Sequence, residues 1–177
     1  IKAIFDVNGA LEISEEQLSG AGDFKVTVKD IPSVTIQEHV QLYGDVTYRY
    51  SRSSGNWYFN LAKSESSPAE FIKAQYQDVF IETGTPDYIV SGKGVADSGK
   101  VSFSAANQQI SVVQDGIKGN GSITIDGTLQ FDANGLQGQI QAELQNGRLD
   151  FTENNYVIED IALSVHLPAL PQIRTDA

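Results

Sequence analysis

Apolar and polar residues alternate at period two along most of the chain, the spacing that turns one face of a β-strand toward a dry surface and the other toward water. Phe24, Val26 and Val28 alternate with Asp23, Lys25, Thr27 and Lys29. Val34, Ile36, Val40 and Leu42 share one parity, and Val46, Tyr48 and Tyr50 continue it. After a turn at Ser51 to Gly55 the row resumes with Trp57, Phe59 and Leu61. The same grammar predicts strands over Tyr88–Ser91, Val101–Ala105, Ile110–Val112, Ile123–Ile125, Leu129–Phe131, Ile140–Leu144, Leu149–Phe151 and Tyr156–Leu167. Turn dipeptides are expected to separate them: Asn8-Gly9, Asp115-Gly116, Asp126-Gly127, Asn134-Gly135 and Asn146-Gly147, whose residues tolerate the positive φ of tight hairpins.

One segment departs from the alternation. Ser67-Pro68-Ala69-Glu70 has capping-box spacing with proline at the first helical position, and Ile72, Tyr76, Val79 and Phe80 follow at helical intervals. A short helix from about Pro68 to Gln77 is expected, although Val79 and Ile81 fit the start of a strand equally well. The fold class read from the pattern is all-β, a meander of long antiparallel hairpins in an elongated sheet or a sandwich. An internal echo accompanies it: Gly9, Leu11, Ile13, Leu18, Gly20 and Val26 line up with Gly127, Leu129, Phe131, Leu136, Gly138 and Leu144 at one constant offset. Any two half-buried hairpins would look alike in this way, and so would a strand unit repeated along one sheet.

With 177 residues, one domain spanning 1–177 is expected. The absence of methionine and a start in apparent mid-strand suggest a fragment of a longer protein. A net charge of −11 argues against nucleic acid and anionic membrane surfaces as partners, since both draw on basic patches. Without cysteine there is no disulfide, thiolate metal site or cysteine nucleophile. No stretch reaches the roughly 18 apolar residues of a membrane-spanning helix.

Candidate chemistry is sparse. His39 and His166 both fall on polar parity, outside any paired metal-ligand spacing, and read as surface residues. Glu38 occupies apolar parity between Ile36 and Val40, which fits a bulge, an exposed strand end or an acid at a pocket edge. Gly92-Lys93-Gly94 and the glycines of Gly116 to Gly121 superficially resemble phosphate loops, but strands rather than a helix follow, so hairpin turns are expected. Among the aromatic residues, Tyr48, Tyr50, Trp57 and Phe59 share the apolar rows, with Tyr43 and Tyr58 on the opposite face; a sugar-stacking platform is the competing reading. Asn120-Gly121-Ser122 has the form of a glycosylation acceptor. No catalytic residue, metal site or cofactor is expected, and no enzyme activity.

The run NGSITIDGTLQFDANGLQGQIQAELQNGRLDFTENNYVIEDIALSVHLPALP, from Asn120 to Pro171, resembles the repeating strand unit of AsmA-like envelope proteins, nearest the YdbH type labelled "dicarboxylate transport". In that pattern two glycine-punctuated strands precede an N-G-R-L stretch, here Asn146 to Leu149. A strand of the form Tyr156 to Ile161 then leads into an apolar segment ending in proline, and Pro86 to Gly94 is similar to a preceding element. The resemblance implies an elongated, strongly curved antiparallel sheet folded into a taco-like groove, and a periplasmic, Gram-negative envelope location with anchoring to the inner membrane through a segment not present here. It also implies a phospholipid or other acyl-chain lipid as partner, and contact with the membrane-anchored remainder of a parent chain. The lining of such a groove would be collective: Phe24, Val26, Val28, Val46, Tyr48, Trp57, Phe59, Ile123, Ile125, Leu129, Phe131, Ile140 and Leu144. The contrasting expectation is a closed β-sandwich whose apolar rows pack on one another, binding carbohydrate or a protein partner at its loops.

Overall fold

A computed structural model describes residues 2–30, 35–36, 40–64 and 71–168. All twelve elements are strands: β1 (Lys2–Ile13), β2 (Gln17–Asp30), β3 (Thr35–Ile36), β4 (Val40–Ser51), β5 (Asn56–Lys63), β6 (Phe71–Tyr76), β7 (Val79–Gly84), β8 (Asp87–Val95), β9 (Ser98–Gln114), β10 (Ile117–Asp132), β11 (Gly135–Phe151) and β12 (Tyr156–Leu167). They form one antiparallel sheet in the order β1-β2-β4-β5-β8-β9-β10-β11-β12. The sheet is not closed: β1 and β12 end its main path and β3 ends a side branch, so the architecture is all-β with one open antiparallel sheet.

A line of irregularities crosses the sheet and bends it. In β9 the three-residue step from Asn107 to Ile110 faces the two-residue step from Ile123 to Gly121 of β10. In β11 the step from Gln145 to Arg148 faces Ser122 to Asn120, with Asn146 at φ 52°. In β12 the step from Ile158 to Ile161 faces Leu149 to Gly147, with Asp160 at φ 58°. Each is a β-bulge, and a bulge bends its strand and steepens the local twist. At the same level β9 changes neighbour, from β8 through Asp87↔Ala106 to β7 through Thr83↔Ile110. Beyond the bend β7 pairs with β6, and β6 with β3, so the sheet forks there.

The expected helix is not formed where the residues are described. Phe71–Tyr76 is a strand paired with both β3 and β7, and the preceding 65–70 lie outside the described residues. Pairing on two sides outweighs a local capping signal, because Ile72, Ala74 and Tyr76 also alternate. The expected divisions between strands are corrected too. Asp115-Gly116 and Asn134-Gly135 do lie at reversals, but Asn8-Gly9 and Asp126-Gly127 sit inside continuous ladders, and Asn146-Gly147 forms the β11 bulge. Gly92 and Gly94 belong to β8, and Gly119 and Gly121 to β10, rather than to hairpin turns. The strands expected separately at 101–105 and 110–112 are the single β9, and β10 and β11 each join two expected strands in the same way.

The internal echo is retained in the pairing. Leu11↔Gly20 and Ile13↔Leu18 of the first hairpin have the register of Leu129↔Gly138 and Phe131↔Leu136 of the other. Glu38 and His39 lie outside the described residues.

A glycine-seated apolar face as candidate functional site

Directly opposed residues of an antiparallel ladder share a face, so the register can be followed from edge to edge. One row runs Ile13, Leu18, Tyr50, Trp57, Gly94, Gly99, Phe131, Leu136. The next runs Leu11, Gly20, Tyr48, Phe59, Gly92, Val101, Leu129, Gly138, and a third runs Gly9, Gly22, Val46, Leu61, Val90, Phe103, Gly127, Ile140, Leu167. Val7, Phe24, Gly44 and Lys63 belong to a fourth row, continued by Ala105, Ile125, Ala142 and Val165. Val26 and Leu42, and further along Ile123, Leu144 and Leu163, stand on the same face. Every residue expected to line a groove therefore has its backbone on one face; the Val28 side chain lies outside the described ones.

Of the 16 glycines, all but Gly55, Gly84, Gly116 and Gly135 stand on this face. Their spacing explains why sequence reasoning took several for turns. Four of the large rings in the rows lie beside a glycine, and a Cβ there would collide with each: Phe24 at Gly44 (2.7 Å), Tyr48 at Gly20 (2.4 Å), Phe59 at Gly92 (2.3 Å) and Phe103 at Gly127 (2.2 Å). Trp57 lies across two neighbouring strands, 2.5 Å from the Cβ position of Gly94 and 2.1 Å from that of Gly99. In that pose its indole stacks beside Phe59 (centroids 6.0 Å, planes 11° apart) and beside Phe131 (5.8 Å, 10°). Glycine in a strand weakens it by entropy and lost packing, and is favoured where another group must approach the backbone closely. The rings lie down on the sheet rather than standing on it.

This face is covered incompletely. Among the described apolar side chains only Phe24 and Val26 fall to 9% exposure, and no described side chain is fully buried. At the β12 end Ile125, Leu163, Val165 and Leu167 keep 38, 60, 58 and 49% of their area in contact with solvent. The described strands all belong to one hydrogen-bonded sheet.

The opposite face is mainly polar, although Ile4, Tyr58, Ile89, Val95 and Val113 are exposed at its register positions. Gln137, Gln139, Gln141, Glu143 and Gln145 of β11 face Gln130, Thr128, Asp126, Thr124 and Ser122 of β10. Tyr43 lies there beneath the Lys25 ammonium, 5.2 Å from its ring centre, and an exposed ion pair joins Arg148 to Glu159. His166 is also on this face, opposite Gln141, and among the described residues no three acidic or histidine groups come together as a metal site would require. A cleft of about 410 Å³ follows the bulge line, lined by Glu82, Gln109, Ser111, Asn120, Ser122 and Asn146. A second, of about 450 Å³, lies against Glu12, Ser19, Thr47, Arg49 and Tyr58. The Asn120 side chain is exposed in the first cleft.

Where the apolar rows meet the fork, polar groups satisfy one another. The Tyr88 hydroxyl donates to the Tyr43 carbonyl (2.8 Å), and burial, with a smaller contribution from the Asp45 carboxylate, pushes its pKa up to about 12. Its ring packs 6.2 Å from that of Phe24. The Asn107 amide donates to the Gly84 carbonyl (2.7 Å) and to the Thr83 hydroxyl. The Lys63 ammonium donates to Asp87 (2.9 Å) and to the Thr85 carbonyl (3.5 Å). Sequence parity ran Trp57, Phe59, Leu61 and would have carried Lys63 onto the apolar face with one more step.

No family model, no curated protein and no solved structure matches the chain.

Proposed function

We propose that the chain binds the acyl chains of phospholipid on its apolar face, and that it forms a section of a lipid-conducting surface between the two membranes of a Gram-negative envelope. In this reading it works beside a membrane-anchored remainder of a parent chain and carries out no covalent chemistry. The observation that carries the proposal is the wide apolar face left open on a single sheet, smoothed by rings lying on glycines. Leaving such a surface in water stabilises nothing, and contiguous exposed apolar surface marks binding sites.

The energetics suit a ligand without specific contacts. At roughly 0.8 kcal/mol per methylene, a 16-carbon chain gains on the order of 13 kcal/mol by leaving water. Covering Ile125, Leu163, Val165 and Leu167, each about half exposed, adds on the order of 3–5 kcal/mol from the protein side. Glycine seats also keep the floor low, so a flexible chain meets a continuous apolar surface rather than separate pockets.

Native mass spectrometry of the protein purified from a Gram-negative envelope tests this reading. Adducts with phospholipid masses are expected. A protein that arrives bare, and also takes up no single-chain lipid at micromolar concentration, would overturn the reading.

A further inference from the structure

Building on the acyl-chain reading, we propose that Lys63 selects an anionic lipid, holding its phosphate head while the chain lies on the apolar rows. Among the described side chains Lys63 is the one charged residue at the register positions of the apolar face. It stands opposite Gly44, whose open Cβ position is filled by the Phe24 ring. The Lys63 position thus adjoins Phe24, one of the two most deeply covered apolar side chains described, as a site for an amphiphile requires.

The present partners of Lys63 leave it able to exchange. An ammonium has three donors, and here the Asp87 carboxylate and the Thr85 carbonyl each accept one bond. The Lys63 side chain is 24% exposed, whereas that of Asp87 is 78% exposed. Asp87 therefore keeps most of its hydration in the pair, and a phosphate oxygen can take its place at small desolvation cost. A phosphate tethered by its acyl chain also meets the ammonium at a raised effective concentration and accepts a charge-assisted bond from it. The neighbouring Tyr88 hydroxyl is committed to the Tyr43 carbonyl, so the head group is held by charge more than by a shaped set of donors.

Calorimetric titration with lyso-phosphatidylglycerol, with the uncharged monoacylglycerol of the same chain length, and with glycerol phosphate alone tests the assignment. The anionic lipid is expected to bind about three- to tenfold more tightly than the neutral one, and glycerol phosphate not measurably. Lys63→Gln should bring the ratio of the two lipid affinities to about one, Lys63→Arg should keep it, and Asp87→Asn should widen it. Raising the salt concentration should narrow it. An anionic preference that survives Lys63→Gln, or an equal affinity for both lipids in the unaltered protein, would overturn the role of Lys63 while leaving acyl-chain binding intact. Glycerol phosphate binding as tightly as the lipid would overturn the assignment to a lipid head. Binding of neither lipid would remove the acyl-chain reading and this inference with it.

Discussion

The β1–β2 and β10–β11 hairpins carry the same residue pattern in the same register, yet their equivalent side chains have different surroundings. Phe131 stacks beside Trp57, whereas its counterpart Ile13 is 63% exposed, and Leu11 is 52% exposed where Leu129 is partly covered. The cause is lateral: β10 has β9 on one side and β11 on the other, while β1 is an end of the sheet. Their echoed glycines differ for the same reason. A Cβ at Gly127 would strike the Phe103 ring reaching over from β9, but one at Gly9 would strike the Ala21 carbonyl oxygen (2.6 Å) and the Gly22 Cα (2.8 Å). The pattern decides which face is apolar, and the neighbouring strand decides how much of that face stays open.

The largest expected effect separates the ring-seated centre from the edge. Trp57→Ala removes the ring that joins Phe59 to Phe131 over Gly94 and Gly99, and should cost about 3 kcal/mol in denaturant unfolding. A loss below about 1 kcal/mol would mean that the rings merely rest on the surface. Next comes Gly127→Ala, expected to cost about 1–3 kcal/mol by displacing Phe103. In a Phe103→Ala background that cost should shrink by about 1 kcal/mol, the coupling a double-mutant cycle reads. Gly9→Ala should show no such rescue from any side-chain truncation, because its obstacle is backbone. Smaller again is the contrast between Leu129→Ala, expected near 2 kcal/mol, and Leu11→Ala, expected below about 1 kcal/mol, measured in the same way. Equal costs would erase the distinction between covered and open hairpins.

The smallest effect is a pH dependence at the fork. The Tyr88 pKa is raised above its ordinary value of 10.0 to about 12, so the neutral hydroxyl is favoured in the folded chain. Its contribution to stability is fully present below pH 10 and is lost as pH rises through about 12. Tyr88→Phe should flatten that decline in thermal melts between these limits; an unchanged slope would show that burial does not raise the Tyr88 pKa.

Much of the face was legible from parity alone, because a residue's side of a strand is fixed two by two along the chain. Phe24, Tyr48, Trp57 and Leu129 fall where alternation puts them, and so do Tyr43 and Tyr58 on the other side. The continuity of the strands was not legible. Asn8-Gly9 and Asp126-Gly127 carry the local chemistry of a turn, and only cross-strand neighbours reveal that their glycines make room for a backbone or a ring. The Phe71–Tyr76 segment misled for a related reason, since a capping signal is local and a strand's partners are distant in sequence. The bulges at Asn146 and Asp160 leave no clear mark either, although they set the bend that divides the sheet.

Photo-crosslinking in Gram-negative cells tests the proposed lipid binding most directly, with a benzophenone residue placed in turn at Ile125 and Leu163 on the apolar face and at Thr124 and Ser164 on the opposite face. Phospholipid captured at Ile125 and Leu163 but not at Thr124 and Ser164 is the predicted result. Equal capture from both faces, or none from either, would contradict the account.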